Sequence, residues 1–190
     1  MDPQKDTDRP IVEAVLAGDS RRYAELVNRH KDRAMTLALR ILRQREDAQE
    51  AVQDAFVRAY RSLESFRGES SFSTWFYRIL YNLCLTASSR RRTTADADAG
   101  EDVELAAEDP SALELLETRE LHDALHEEMR NLPSKYAAAL TLFYVQDLPY
   151  ERITEVMGLP MGTVKTLLFR GRALLRSRLA ARFQESEVLR

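Results

Sequence analysis

The sequence has little of what several common kinds of protein require. Its 190 residues include one cysteine, which excludes a disulfide framework and any zinc site built from several cysteines. Six glycines and six prolines are too few for a collagenous or low-complexity chain. No apolar run approaches the roughly 18–20 residues that span a bilayer, and the N-terminal MDPQKD has no signal-peptide core. We therefore expect a cytoplasmic protein without membrane insertion.

Sequence motifs of enzymes are also missing. There is no phosphate-binding glycine loop, no Gly-x-Ser-x-Gly and no visible nucleophile–base pair. His122 and His126 lie one helical turn apart, but no third histidine or cysteine is near, which favours a solvated helix over a metal site. Cys84 lies between Leu83 and Leu85 and is expected to be a buried thiol. We expect no catalytic residues, no metal and no cofactor.

Charge is strongly segregated along the chain, although the net charge is only −3. Residues 1–93 carry 17 Lys/Arg and 13 Asp/Glu, whereas residues 94–112 carry seven acidic residues and no basic one. Residues 161–182 carry six basic residues and no acidic one. Two basic regions separated by an acidic connector indicate a polyanionic partner.

Hydrophobic spacing predicts an all-α protein of two small helical domains joined by an acidic flexible linker. The predicted domains are 10–93 and 113–183, with the linker over 94–112. Apolar residues recur at intervals of three and four, and no segment alternates with a period of two. The predicted helices are 11–17, 20–43 (after a turn and cap at Gly18-Asp19), 46–63, a helix capped by Ser73 or Thr74 that ends near Ser89, 113–131, 134–145, 148–157 and 161–183.

The last two predicted helices, with Gly158-Leu159-Pro160 between them, are typical of a helix-turn-helix, whose second helix enters the DNA major groove. The residues spaced to pack the pair together are Ile153, Val156, Met157, Leu159, Val164 and Leu168. Those expected near or on the outer face are Gly162, Thr163, Lys165, Thr166, Phe169 and Arg170. Further charge for phosphates comes from Arg172, Arg176, Arg178 and Arg182. The alternatives are an ordinary helical hairpin and a basic helix for membranes or calmodulin-like partners.

Residues 66–82 hold six aromatic side chains, interleaved with Arg67 and Arg78 and followed by three arginines at 90–92. Such a set suits unpaired bases, which stack on aromatics while arginines hold the backbone. The alternative is that the aromatics form the core, above all Trp75, Phe76 and Ile79. For Asn82, binding and simple exposure stay equally open.

One polar strip on the predicted helix 46–63 is continuous. It consists of Asp47, Glu50, Gln53 and Asp54. Its two interpretations are a solvated face and a protein interface.

In this order, these segments resemble an extracytoplasmic-function (ECF) sigma factor of bacterial RNA polymerase. The residues that carry the resemblance are 47–61 (DAQEAVQDAFVRAYR), Phe66-Arg67-Gly68, 74–82 (TWFYRILYN), Leu132-Pro133, 148–153 (LPYERI) and 162–165 (GTVK). Together they extend over about residues 10–92 and 113–180. The resemblance implies that the first domain is sigma domain 2, which melts and reads the −10 promoter element. The second domain would be sigma domain 4, which reads the −35 element as duplex, and the linker would thread through the polymerase cleft.

The resemblance also implies roles for individual residues and partners. Polymerase core would be contacted through the clamp helices of its largest subunit and through its flap, with Asp47, Glu50, Gln53 and Asp54 at the clamp helices. The residues implied for −10 DNA are Ser62, Phe66, Ser70, Phe72, Trp75, Arg78, Ile79 and Asn82. Those implied for −35 DNA are Gly162, Thr163, Lys165, Thr166, Phe169 and Arg170. Promoter DNA and an anti-sigma protein that covers both faces complete the expected partners.

Two positions depart from the family pattern. Leu167 stands where the family commonly has a basic residue, and leucine at a DNA surface can contact only a thymine methyl. Gly171 replaces a more usual alanine, which costs about 1 kcal/mol of helix propensity.

The competing hypothesis is a stand-alone helix-turn-helix regulator whose first half is a helical dimerisation or ligand module. Such a module needs no base-stacking aromatics and no arginine cluster at 90–92. A nucleic-acid-processing enzyme is the third hypothesis, and the missing catalytic carboxylates or metal site argue against it.

Overall fold

The computed structural model describes residues 7–94 and 119–188, which form eight α-helices and two short 3-10 helices without a strand in either range. The helices are α1 (Arg9–Leu16), α2 (Tyr23–Leu42), α3 (Arg45–Arg61), α4 (Phe72–Thr94), α5 (Arg119–Asn131), α6 (Ser134–Tyr144), α7 (Tyr150–Met157) and α8 (Met161–Val188). The 3-10 helices are Ser20–Arg22 and Leu63–Ser65. The all-α prediction is confirmed. The predicted linker from residue 95 onward, and the predicted helical start at 113–118, lie outside the described residues.

Two predicted helix starts were wrong in detail. Gly18 forms the expected turn with φ +108°, but Asp19 makes no side-chain capping bond, and a 3-10 turn precedes α2. α4 begins at Phe72 because Ser71 is its cap: the Thr74 backbone N–H donates to Ser71 Oγ at 3.2 Å. The same oxygen lies 2.9 Å from the Ser73 hydroxyl, so Ser73 supports the cap without being it.

In the first half, α2, α3 and α4 pack against one another, and α1 lies against α2. Their apolar stripes form the core as the spacing predicted, with Leu26, Leu37, Phe76 and Leu80 fully buried. Cys84 is also fully buried, which confirms the predicted buried thiol, and burial raises its pKa to about 12.

A buried polar contact attaches the N-terminal turn to α2. The side chain of Asp8 accepts hydrogen bonds from His30 Nε2 at 2.6 Å and from Arg29 at 3.1 Å. The His30 ring in turn lies against Phe72, Phe76 and Tyr77, at centroid distances of 5.6, 6.1 and 6.0 Å. The hydrogen bond between Asp8 and His30 therefore holds the His30 ring against the aromatic residues at the start of α4.

The second half is built on α6 and α8. Pro133 separates α5 from α6, as predicted. α8 packs on α6 at the buried Gly171, where a Cβ would stand 3.2 Å from a Leu140 methyl and 3.3 Å from Tyr136 Cβ. The close approach of α6 and α8 therefore explains the glycine at position 171, although glycine has a low helix propensity.

The two halves pack against each other, α2 on α6 and α4 on α7, and their buried apolar residues form one continuous core. Polar contacts cross the same junction: Arg40 donates to the His126 carbonyl at 2.8 Å, and Gln146 Nε2 donates to the Arg33 carbonyl at 2.9 Å. We call this packing of residues 7–94 on 119–188 the closed arrangement. The sequence alone does not specify how the two predicted domains are arranged relative to one another.

The described residues include neither a membrane-spanning helix nor a metal-binding cluster. None of these helices is both long and apolar enough to cross a membrane. No group of three or more His, Cys, Asp or Glu side chains among these residues is arranged to hold a metal ion.

Candidate nucleic-acid and protein interfaces

α7 and α8 form a helix-turn-helix. Gly158 ends α7 in the left-handed conformation, φ +65° and ψ +30°, and its N–H donates to the Thr154 carbonyl at 2.9 Å. A residue with a Cβ would be strained in this conformation. The side chains expected to join the two helices are buried or half-buried: Ile153, Val156, Met157, Leu159, Val164 and Leu168. The turn and this packing hold α8 in one orientation relative to α7.

One side of the first turns of α8 is exposed, and we call it the recognition face. It contains all six predicted residues: Gly162, Thr163, Lys165, Thr166, Phe169 and Arg170. Phe169 is 59% exposed, which is unusual for a large aromatic side chain. The Thr166 hydroxyl donates to the Gly162 carbonyl at 2.8 Å, so its oxygen can still accept a hydrogen bond from a partner. The recognition face thus offers a cation, a hydroxyl and an aromatic ring over two helical turns.

Leu167 does not belong to the recognition face. It is 8% exposed and packs in the core beside Leu168, so its side chain is not available to a thymine methyl in this arrangement. The position points inward because it follows Val164 by three residues on the buried stripe. The departure from the family pattern therefore changes the core and leaves the exposed side chains unchanged.

The basic residues further along α8 are largely held by the protein itself. Arg172 donates to the Tyr150 hydroxyl at 3.0 Å and lies over the Phe143 ring. Arg178 donates to the Asn131 carbonyl at 2.9 Å, and Arg182 pairs with Glu127 at 2.6 Å. The sequence suggested these arginines for phosphate contact, but the structure uses them to hold α5 and α7 to α8.

The aromatic segment forms a platform that is buried at its centre and open at its edge. Phe66 and Trp75 are half-buried, with ring centroids 5.2 Å apart. Phe72 lies between them and the core, 6.3 Å from Phe66 and 5.9 Å from Trp75, and is fully buried. The Phe72 ring is not accessible in this arrangement, and its predicted contact with −10 DNA stays a prediction. Phe76 is core, as the alternative reading held.

The other residues predicted for −10 DNA surround this platform at different depths. Ser62 and Ser70 are half-buried in the segment between α3 and α4, and the Ser62 hydroxyl donates to the Arg58 carbonyl at 2.7 Å. On α4, Ile79 is half-buried, whereas Arg78 and Asn82 are exposed one turn apart. Gly68, at φ +70°, turns the chain between the two helices.

The polar strip of α3 borders a groove against the end of α4. This groove, of about 250 Å³, is lined by Asp47, Glu50 and Asp54 on one side and by Arg90 and Arg91 on the other. Arg91 donates to Asp47 Oδ2 at 3.0 Å. Gln53 is exposed but does not line the groove.

Two residues that the sequence analysis did not single out form the apolar floor of the groove, namely Leu83 and Ala87. Leu83 lies four residues before Ala87, and Ala87 lies three residues before Arg90. The three therefore share one face of α4, and this helical spacing could have identified them from the sequence. An apolar floor with charged rims of both signs is the composition expected of a protein interface.

Both halves of the chain match known families. Residues 26–94 match the family described as Sigma-70 region 2, and residues 122–175 match that described as Sigma-70, region 4. The chain is 37% identical over 182 residues to the ECF RNA polymerase sigma-E factor of Haemophilus influenzae, covering 91% of this chain and 95% of that protein. It is 36% identical over 178 residues to the RNA polymerase sigma-H factor of Pseudomonas aeruginosa, covering 88% and 91%.

Solved structures share the fold. The structure of CnrH in complex with the cytosolic domain of CnrY superposes with a TM-score of 0.66 at 22% identity, covering 92% of this chain and 97% of that chain. The sigma factor RpoE in complex with the anti-sigma factor NepR from Bartonella quintana gives 0.62 at 22%, covering 83% and 96%. With both halves matched in order and curated relatives aligned over nearly their whole length, this chain belongs to the ECF family of RNA polymerase sigma factors.

Proposed function

We propose that this protein binds RNA polymerase core and directs promoter-specific transcription initiation, reading a −35 element as duplex and capturing bases of a melted −10 element. The observation that carries the proposal is the recognition face, because its six residues are exposed together while Val164, Leu167 and Leu168 between them are buried. A helix held at this angle by a helix-turn-helix can lie in the major groove with those side chains at base edges and phosphates.

At the −35 element, Lys165 and Arg170 supply positive charge and Thr163 and Thr166 supply hydroxyls to bases or phosphates. Phe169 supplies an apolar surface that suits a thymine methyl. Since most of the arginines beyond Arg170 are held within the protein, few phosphate contacts contribute to affinity. Binding to duplex alone should therefore be weak, and its salt dependence shallow.

At the −10 element, Phe66 and Trp75 provide the accessible edge of the aromatic platform. An unpaired base stacked there gains about 1–3 kcal/mol, which is comparable to the few kcal/mol required to unstack it from duplex. Ser62, Ser70, Arg78, Ile79 and Asn82 surround the edge and can contact the base or its backbone. Because the two energies are similar, melting needs the additional binding energy of polymerase.

The groove between α3 and α4 is the proposed contact with the clamp helices of the largest polymerase subunit, with Asp47, Glu50 and Asp54 on its acidic side and the exposed Gln53 outside it on the same helix. Exposed Tyr144 and Val145, at the end of α6, are a candidate contact for the polymerase flap. An anti-sigma protein is a further proposed partner, because the RpoE structure of the same fold is a complex with one. A factor with these partners acts in the cytoplasm and has no catalytic step of its own.

The test is run-off transcription on fragmented genomic DNA with purified polymerase core, with and without this protein. Discrete protein-dependent transcripts are expected. Their absence, with retained binding to duplex DNA, would favour a stand-alone regulator.

Variants separate the three surfaces. Asn82→Ala should reduce open-complex formation, measured by permanganate reactivity, more than it reduces −35 duplex binding; Lys165→Ala should do the reverse. Asp54→Lys should weaken core binding, whereas Asp32→Lys, a matched change on exposed α2, should not. Equal losses in both assays, or unchanged core affinity, would remove the corresponding surface from the proposal.

A further inference from the structure

A second pocket lies where the two halves meet, away from the recognition face, the platform and the groove. It has a volume of about 810 Å³. Its walls come from α2, the start of α3 and α5, so it is complete only in the closed arrangement. Four of its lining residues are arginines: Arg40, Arg43, Arg45 and Arg130.

Arg40 forms the buried side of the pocket and carries a charge that no carboxylate in the described part of the chain pairs with. The residue is 8% exposed, and its guanidinium donates to the His126 carbonyl at 2.8 Å and to His126 Nδ1 at 2.9 Å. Neither acceptor is a carboxylate, and no carboxylate in residues 7–94 or 119–188 forms an ion pair with Arg40. Burial lowers the pKa of Arg40, and the nearby Arg130 lowers it further. A buried cation in this situation is costly unless an anion joins it.

The remaining charges of the pocket have the same sign. Arg43, Arg45 and Arg130 are exposed at its mouth, and Arg43 donates to a neutral group, the Leu132 carbonyl, at 3.2 Å. Glu127 is the one carboxylate among the lining residues, and Arg182 already neutralises it at 2.6 Å. Four arginines therefore line one pocket, and the only carboxylate among its described lining residues is already paired.

We propose that this pocket binds a compact oligophosphate, and that the bound anion holds the two halves in the closed arrangement. Guanidinium groups present paired N–H donors that match phosphate oxygens, and a chain of two or three phosphates carries the three or four negative charges that the arginines call for. Since α2 and α5 come from different halves, a ligand that contacts both favours the closed arrangement by its binding free energy. Nucleic-acid backbone is the less favourable occupant, because only 8% of Arg40 is exposed and a duplex is much larger than a pocket of about 810 Å³.

The experiment titrates sodium tripolyphosphate into the full chain by isothermal calorimetry, at ionic strength held constant with sodium chloride. Saturable binding near one equivalent is expected, together with a rise in the thermal midpoint. Arg45→Gln and Arg130→Gln should each weaken binding roughly tenfold, the effect of losing one charge-assisted contact of about 1.5 kcal/mol. Both side chains are exposed, so the variants should fold as the parent does, which circular dichroism without ligand checks.

Arg21→Gln is the matched control, since Arg21 is an exposed arginine outside the pocket. It should bind tripolyphosphate as the parent does. Amide hydrogen exchange in α5 should slow on adding tripolyphosphate and not on adding sulfate at the same ionic strength. Three results would each overturn the proposal. The first is the absence of saturable tripolyphosphate binding, and the second is equal weakening of binding by all three variants. The third is binding of non-promoter duplex DNA through Arg45 and Arg130 with no binding of tripolyphosphate.

Discussion

Replacing Asp8 by asparagine should destabilise the protein by about 2 kcal/mol at neutral pH. The side chain is only 7% exposed and accepts two hydrogen bonds, from His30 at 2.6 Å and from Arg29 at 3.1 Å. Asparagine keeps the shape and one acceptor oxygen but loses the charge, and hydrogen bonds to charged groups contribute about 1.5–3 kcal/mol. Arg29 is 45% exposed, so water screens its share and most of the loss comes from the His30 contact.

The loss of stability caused by Asp8→Asn should become smaller as the pH falls. Burial acts to raise the pKa of Asp8, but His30 and then Arg29 outweigh it and lower the pKa below its ordinary value of 3.8. The ionised carboxylate therefore stabilises the fold above pH 3.8, and this stabilisation disappears as the pH falls through the lower folded-state pKa. The difference between parent and Asp8→Asn should be smaller at pH 3 than at pH 6.

Urea unfolding followed by circular dichroism measures both differences. The matched control is Asp32→Asn, because Asp32 is exposed on α2 and its side chain makes no contact of this kind. A loss at Asp8 no greater than at Asp32 would refute the reasoning. Since His30 lies against Phe72 and Phe76, open-complex formation should fall further than −35 binding in the same variant.

Three further predictions test burial within α4 and α8. Phe169→Ala should weaken −35 duplex binding and change stability by less than about 0.5 kcal/mol, whereas Leu168→Ala next to it should cost about 2–5 kcal/mol in urea unfolding. Leu167→Lys should lower the thermal midpoint without strengthening −35 binding, because it places a charge in the core. Cys84, with its pKa raised to about 12 by burial, should react with a disulfide reagent at pH 8 only after denaturant is added; prompt reaction of the native protein would contradict its burial.

Helical periodicity was enough to predict the recognition face. Val164 and Leu168 on one side and Lys165 and Phe169 on the other follow from 3.6 residues per turn. The burial of Leu167 was harder to predict, because this residue lies at the edge of the buried stripe of α8. Whether such a residue is buried depends on how wide the packed face of the helix is, and the sequence alone does not give that width. The platform shows a similar limit, since Phe66 and Phe72 have the same chemistry and only packing separates the half-buried ring from the buried one.

Contacts between distant residues could not be predicted at all. Arg40 and His126 are 86 residues apart, and Arg182 and Glu127 are 55 apart, so neither pair leaves a local pattern. The role of each arginine could not be predicted for the same reason. An arginine that donates to a carbonyl within the protein and one that binds a phosphate have the same side chain.

The continuous core of the two halves makes partner affinity a property of the whole chain. A partner that requires residues 7–94 and 119–188 apart binds only the fraction of molecules that have separated, and its apparent dissociation constant rises by the inverse of that fraction. If one molecule in a hundred is open, affinity is about a hundredfold weaker than the open surfaces allow. Substitutions at the junction therefore set how much of the protein competes for polymerase at a given concentration, even where the substituted side chain is not itself one of the proposed DNA or polymerase contacts.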